Sequence, residues 1–289
     1  MAATVAAALG QACSLQATSA SWRLDGELLL AAVTQRRREW LLAHGEAELG
    51  LAELTRYQDL LQRRQNGEPM AYILGRRGFL DFELTVTPAV LIPRPETELL
   101  VETAVDLTRG RAEEALRVAD LGTGSGVIAI ALGRRFPHWR IDAIDISTEA
   151  LAVARGNAER LGADNVEFIE GSWCDGLAQS GYYDAIVANP PYVAAGDPHL
   201  SEDGLPFEPL GALAAGPDGL DALRAIIGQA GARLKKASWL LLEHGHDQRA
   251  ALQALLAAQG YDNIKALQDY SGHDRVIVGQ WFGPDRMRE

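Results

Sequence analysis

A chain of 289 residues with 47% apolar content can bury a substantial core, which excludes intrinsic disorder and leaves room for one large domain and a smaller one. Its formal charge of -12 opposes the phosphate adhesion on which general nucleic-acid binders depend. Cys13 and Cys174 form no CxxC pattern, so neither a disulfide scaffold nor a cysteine zinc site is expected, and a reducing cytoplasm fits.

The Ala-rich start has no basic stretch before its apolar part and carries Gln11 and Gln16, so it reads as a helix and not as a secretion signal. No apolar run reaches the roughly 18 residues that span a bilayer, so no membrane association is expected. Residues 1–67 then place Leu24, Leu28, Leu29, Val33, Trp40, Leu41, Leu51, Leu54, Leu60 and Leu61 at helical spacing. Ser14 and Asp25 stand where helix N-caps belong, and Gly45 and Gly67 where helices stop. The Arg36-Arg37-Arg38 and Arg63-Arg64 clusters of this small helical domain read as solvated faces.

From Ala71 to Leu91 the pattern changes to Tyr72, Ile73, Leu74, Phe79, Phe82, Leu84 and Val86 with glycines between, so residues 68–92 read as a β-hairpin connector. Pro93-Arg94-Pro95-Glu96-Thr97-Glu98 opens a helix, with Pro95 in the first turn and acids at its positive end. Arg94, Glu96 and Glu98 either line a substrate or only serve that helix end. Strands are expected over Leu116–Leu121, Ile141–Ile146, Val166–Ile169, Ala185–Ala188 and Trp239–Glu243, with helices such as Gly126–Arg135 and Thr148–Leu161 between them. Ile264–Leu267 and Asp274–Trp281 follow as an antiparallel pair. Residues 93–289 therefore read as an α/β, doubly wound Rossmann-like sheet, mostly parallel, with an antiparallel last strand.

Gly122-Thr123-Gly124-Ser125-Gly126 joins a buried strand to an apolar helix, where backbone can approach a ligand closely. The spacing is GxGxG, and Val127 stands where a dinucleotide fingerprint needs glycine, which argues against NAD or FAD. Asp145, at the end of the next strand, can accept hydrogen bonds from both hydroxyls of a ribose. Its alternative as a helix cap is weakened by Ser147 and Thr148, which can do that work. Trp173 follows the third strand, where an adenine would lie. His244 and His246 flank Gly245 without a third metal ligand at useful spacing, so no metal is expected.

The fourth strand ends in Asn189-Pro190-Pro191-Tyr192. A planar nitrogen has a delocalised lone pair and attacks poorly unless acceptors hold its hydrogens and a ring fixes its plane. The Asn189 oxygen and the Pro190 carbonyl can be those acceptors, the prolines add no competing N–H, and Tyr192 can stack. These four residues alone leave adenine, cytosine and glutamine open.

The order GxGxG, acid, Asn-Pro-Pro-Tyr resembles S-adenosylmethionine-dependent methyltransferases of the Rossmann-like class, over roughly residues 93–281. Tyr72-Ile73-Leu74-Gly75, Phe79, Leu91 to Glu98, Glu208-Pro209, Gly216-Pro217-Asp218-Gly219-Leu220 and Asp269 to Gly279 further resemble the bacterial release factor glutamine methyltransferases. That resemblance implies N(5)-methylation of the glutamine in the Gly-Gly-Gln motif of class I peptide chain release factors, with the helical domain docking the partner. It also implies that Gly122 to Gly126 wrap the methionine end of S-adenosyl-L-methionine, Asp145 holds the ribose, Trp173 lies by the adenine, and Asn189 and Pro190 hold the amide beside the cofactor.

Two other functions compete. A DNA adenine N(6)-methyltransferase would share the tetrapeptide, but the loop from Val193 to Gly216 has Asp197, Glu202, Asp203 and Glu208 and no Lys or Arg, so no direct nucleic acid contact is expected. A non-catalytic module binding S-adenosylmethionine and a partner protein would have little use for an intact Asn-Pro-Pro-Tyr.

Overall fold

The computed structural model describes residues 3–177, 181–201 and 204–283, arranged as two compact units. The first comprises Met1–Arg76 with Ser201–Phe207, the second Arg77–Leu200 with Glu208–Glu289.

In the first unit β1 (Ala3–Thr4) leads into α1 (Val5–Gln11), followed by α2 (Trp22–Thr34) and α3 (Arg38–Ala43). Then come β2 (Glu48–Leu49), which pairs with β1, α4 (Leu51–Gln65) and α5 (Met70–Leu74). Val5, Leu15, Leu29, Leu30, Leu41 and Tyr57 form its core, as amphipathic helical spacing requires. Asp25 is not a cap: it lies in the first turn of α2, 4% exposed, and accepts from Ser19 Oγ at 2.8 Å and Arg64 Nε at 2.8 Å. Pairing offsets the cost of burying its charge and ties the start of α2 to the end of α4. Arg63 meets Glu68, so neither arginine is merely solvated. Ser14 falls inside a short 3₁₀ turn, Ala12–Leu15. Gly67 follows the last turn of α4, and Gly45 stands two residues beyond α3.

Ala71–Leu74, read from sequence as part of a hairpin, lie in α5, which Gly75 ends at φ 70°. A run of three apolar residues fits either state, and the glycine stop decides. The hairpin itself is confined to β3 (Arg76–Phe79) and β4 (Phe82–Thr85).

The second unit continues with α6 (Thr97–Thr108), β5 (Arg117–Leu121), α7 (Val127–Arg135), β6 (Arg140–Asp145), α8 (Thr148–Leu161), β7 (Val166–Glu170) and β8 (Tyr183–Ala188). It ends with α9 (Asp221–Ala230), β9 (Leu234–Glu243), α10 (Arg249–Ala258), β10 (Tyr261–Gln268) and β11 (Asp274–Trp281). The sheet order is β10-β11-β9-β8-β5-β6-β7, with β11 antiparallel to both neighbours and the other pairings parallel.

Alternate residues of the central strands enter different layers. Val118, Val187 and Leu241 pack with α6 and α7, whereas Ala119, Ile186 and Leu240 pack with α9 and α10. Period-two alternation with both faces apolar is the pattern of a sheet covered on both sides. The sequence-derived strands are recovered, with β9 beginning five residues earlier, at Leu234, and β6 stopping at Asp145. Fully buried Asn157 on α8 accepts from Thr85 N at 2.7 Å and donates to Thr85 O at 2.9 Å and Ser125 O at 3.0 Å. One carboxamide thus fastens β4 to the glycine turn.

Candidate active site

The chain runs from β5 outward to β6 and β7, then crosses back to place β8 on the other side of β5. Carboxyl ends of strands flanking such a reversal leave a crevice where ligands bind. Here that crevice has a volume of about 310 Å³, within the roughly 300–1,000 Å³ typical of small-ligand sites. Gly122, Thr123, Gly124 and Ser125 line it from the turn after β5, Asp145 from β6, Trp173 from the segment after β7, and Asn189 and Pro191 from the segment after β8.

The glycine turn is built for close approach. Gly122 takes φ 71°, and a Cβ there would sit 3.3 Å from the indole of Trp173, itself held at a left-handed φ of 46°. Gly126 stands behind the wall and not on it: at φ 83° it precedes α7, and a Cβ would lie 2.8 Å from Ile130 Cδ1 and 3.2 Å from Ala154 Cβ. It is needed for packing α7 against α8.

Asp145 Oδ2 accepts from Gly124 N at 2.8 Å and Oδ1 from Ser147 N at 2.9 Å. Each oxygen keeps a further lone pair, so the carboxylate is fixed in direction and still able to take two hydroxyls. Ser147 caps α8 through Ala150 N, which leaves Asp145 free of that duty. Beneath the turn, Asp120 Oδ2 accepts from Thr123 Oγ1 at 2.6 Å and Ala129 N at 3.1 Å, while buried Oδ1 has no hydrogen-bond partner. Burial pushes the Asp120 carboxyl up to about 7 against the pull of those two bonds.

On the other wall, Asn189 is half-buried and donates from Nδ2 to Thr97 Oγ1 at 3.1 Å. Thr97 Oγ1 donates to Glu243 Oε2 at 2.8 Å, and Tyr192 OH donates to Glu243 Oε1 at 3.2 Å. Burial, helped by the Glu243 charge, holds the Tyr192 phenol far above its ordinary range, so it stays protonated. Pro190 is buried behind the cleft and Tyr192 packs half-buried beside it, so neither side chain lines the volume itself. Arg94 pairs with Glu208, whose other oxygen accepts from Ile92 N at 3.0 Å, and Glu98 accepts from Leu80 N at 3.0 Å. Both roles are internal to the fold.

His244 donates through Nδ1 to Gly245 O at 2.7 Å, and His246 lies against the His273 ring. Among the described residues no group of three or more His, Cys, Asp or Glu could hold a metal ion, and no helix is long and apolar enough to cross a membrane.

Sequence reasoning missed three residues. Thr97 was hidden in a helix-opening pattern and Glu243 read only as a strand end. Ile146 is 75% exposed, yet it lines the cleft beside Asp145. An apolar side chain left in water directly after an acid at a strand end was the available signal for Ile146; for Glu243 it was an acid closing an apolar strand at the same sheet edge.

Residues 7–75 match the PrmC N-terminal domain family and residues 95–201 the methyltransferase small domain family. Among solved structures, the catalytic domain of hMettl16 in complex with the MAT2A 3'UTR hairpin 6 has a TM-score of 0.55 at 19% identity, covering 80% of this chain and 81% of that one. A methyltransferase from Pyrococcus furiosus has a TM-score of 0.52 at 14% identity, covering 78% of this chain and 99% of that one. At such identities these likenesses show the fold alone, that of the methyltransferases. Curated relatives carry more. Release factor glutamine methyltransferase of Pseudomonas aeruginosa is 47% identical, covering 91% of this chain and 94% of its own. That of Coxiella burnetii is 45% identical, covering 92% and 94%, and that of Vibrio cholerae 44% identical, covering 97% and 98%. With the sheet, the glycine turn and the Asn-Pro-Pro-Tyr wall in place, this chain belongs to the release factor glutamine methyltransferases.

Proposed function

We propose that this enzyme transfers the methyl group of S-adenosyl-L-methionine to the side-chain amide nitrogen of the glutamine in the Gly-Gly-Gln motif of class I peptide chain release factors, giving N(5)-methylglutamine and S-adenosylhomocysteine. The observation that carries it is the pairing, across one cleft, of a backbone-lined glycine turn with an Asn-Pro-Pro-Tyr segment whose carboxamide is held by Thr97. The residues fit the cofactor: Asp145 has free lone pairs for a ribose, and Trp173 and Ile146 supply apolar surface for an adenine. When bound, S-adenosylmethionine supplies a methyl already activated as an electrophile by its sulfonium.

What remains for the protein is alignment of a weak nucleophile. The Asn189 oxygen and the Pro190 carbonyl accept the two N–H groups of the glutamine amide, which fixes the nitrogen and raises its electron density. The Tyr192 ring, set back from the cleft lining, stacks on the amide plane where the glutamine enters beside Asn189. As the new C–N bond forms, the nitrogen becomes strongly acidic and its proton passes to a neighbouring carbonyl or water, so no strong base is required. Positive charge developing on nitrogen is stabilised by the same two acceptors. Release factors are the partners, residues 1–67 dock them, and the reaction belongs in the cytoplasm, where translation ends.

The test is transfer of labelled methyl from S-adenosylmethionine to purified release factor, to DNA and to an unrelated protein. Label is expected on the release factor alone, on its glutamine. Label on DNA or none at all overturns the reading.

A further inference from the structure

A carboxamide can show either edge to the cleft, and only one is useful. The oxygen accepts an amide N–H, whereas the NH₂ would meet donor with donor. Something must therefore choose the direction of Asn189. Asn189 follows β8 and Glu243 closes β9, and these strands are parallel neighbours with Ala188 opposite Leu242. Thr97, the first residue of α6, bridges the two side chains. Thr97 and Glu243 are both about 1% exposed, so water offers no alternative partner.

An ionised carboxylate only accepts. Thr97 has one proton, and it goes to Glu243; what Thr97 then turns toward Asn189 is a lone pair, which demands the NH₂ edge and sends the oxygen into the cleft. The second Glu243 oxygen takes the Tyr192 hydroxyl and fixes that ring. We propose that Glu243 is a positioning residue which, through the Thr97 hydroxyl, sets Asn189 with its oxygen toward the substrate amide and, through Tyr192, sets the stacking plane. This rests on the methyl-transfer reading above.

The device depends on charge. Protonated Glu243 can donate to Thr97, whose own proton is then free to point at Asn189, and the carboxamide can flip. The groups facing Glu243 are Thr97 from α6 and Glu96 just before it, Tyr192 with Arg94 behind it, Arg275 from β11 and His244 directly after β9. Burial pushes the Glu243 carboxyl up to about 7, opposed by Thr97, Arg275 and Tyr192, with Glu96 adding to the rise. His244 is shifted down by burial and stays neutral. The aligned form is the deprotonated one, so the Glu243 contribution to kcat is present above pH about 7 and lost as pH falls through it. Asp120 titrates in the same range, so the wild-type profile is compared as a ratio with that of Glu243→Gln, which cancels the Asp120 part.

The experiment measures methyl transfer to release factor, S-adenosylmethionine affinity by calorimetry, and the ¹H–¹⁵N signals of the Asn189 side chain, assigned by their loss in Asn189→Asp. Glu243→Gln and Thr97→Val are expected to lower kcat about tenfold or more with cofactor affinity within about twofold, and Thr97→Ser to recover most of the rate lost in Thr97→Val. The Asn189 signals of the wild type should shift with an inflection near pH 7, and that inflection should vanish in Glu243→Gln. Asn189 signals that ignore pH, equal losses in Thr97→Ser and Thr97→Val, or unchanged kcat in Glu243→Gln overturn the assignment. The NMR readout needs no substrate, so failure of the wild type to methylate a release factor would sink the proposed function without touching this result.

Discussion

The two walls of the cleft begin from the same kind of element, a parallel strand ending at one sheet edge, and are finished in opposite ways. The wall after β5 is mostly backbone: glycines at left-handed φ let the turn fold back tightly, the Gly122 and Thr123 N–H groups are tied to Ile144 O, and the one decisive side chain, Asp145, is itself held by Gly124 and Ser147 N–H groups. The wall after β8 is built from side chains, with Asn189, Thr97, Glu243 and Tyr192 joined in one chain of hydrogen bonds. A cofactor is always the same molecule and suits a rigid cradle. A substrate amide must be aimed at within a fraction of an ångström, and that aim is adjusted by side-chain chemistry.

Substitutions on the two walls should therefore fail differently. The largest effect is expected from Asn189→Ala, which removes an acceptor used as charge develops: kcat should fall about 10²–10³-fold while calorimetric affinity for S-adenosylmethionine is kept. Asp145→Ala should do the reverse and raise the cofactor Kd about 10–100-fold, since hydrogen bonds to a charged group contribute about 1.5–3 kcal/mol. Equal affinity in that variant would remove Asp145 from the cofactor wall. Gly126→Ala adds a Cβ at φ 83° against Ile130 and Ala154, and denaturant unfolding should register a loss of about 1–3 kcal/mol. Tyr192→Phe keeps the ring and loses only the bond to Glu243, so a rate decrease of about 2–10-fold is expected in steady-state kinetics. A collapse there would mean that the hydroxyl does more than hold the ring.

The backbone wall was the more legible in sequence. Glycine spacing and an acid at the second strand end are local signals, because each states what the chain must do at that point. The sheet was legible for the same reason: β5, β6 and β8 are short runs dominated by Val, Ile, Leu and Ala, each broken inside by a single aspartate and set apart by helical or turn segments. The side-chain wall was only half legible. Thr97 and Glu243 lie 146 residues apart, and their partnership exists only after α6 and β9 meet at the sheet edge. Asp25 failed as a cap for a related reason. Its local pattern was right for a helix start, but Arg64, 39 residues later, supplied a stronger partner than the helix N-terminus could.

Asn157 gives the glycine turn a dependence on a part of the chain that no ligand touches. Both backbone groups of Thr85 and the carbonyl of Ser125 are satisfied by that one buried side chain, so neither β4 nor the turn can leave it without stranding polar groups in the other. The hairpin edge and the turn therefore belong to one cooperative opening unit. Amide exchange of Thr85 should slow when S-adenosylmethionine binds, and Asn157→Ala should let the hairpin exchange freely whether or not the cofactor is present.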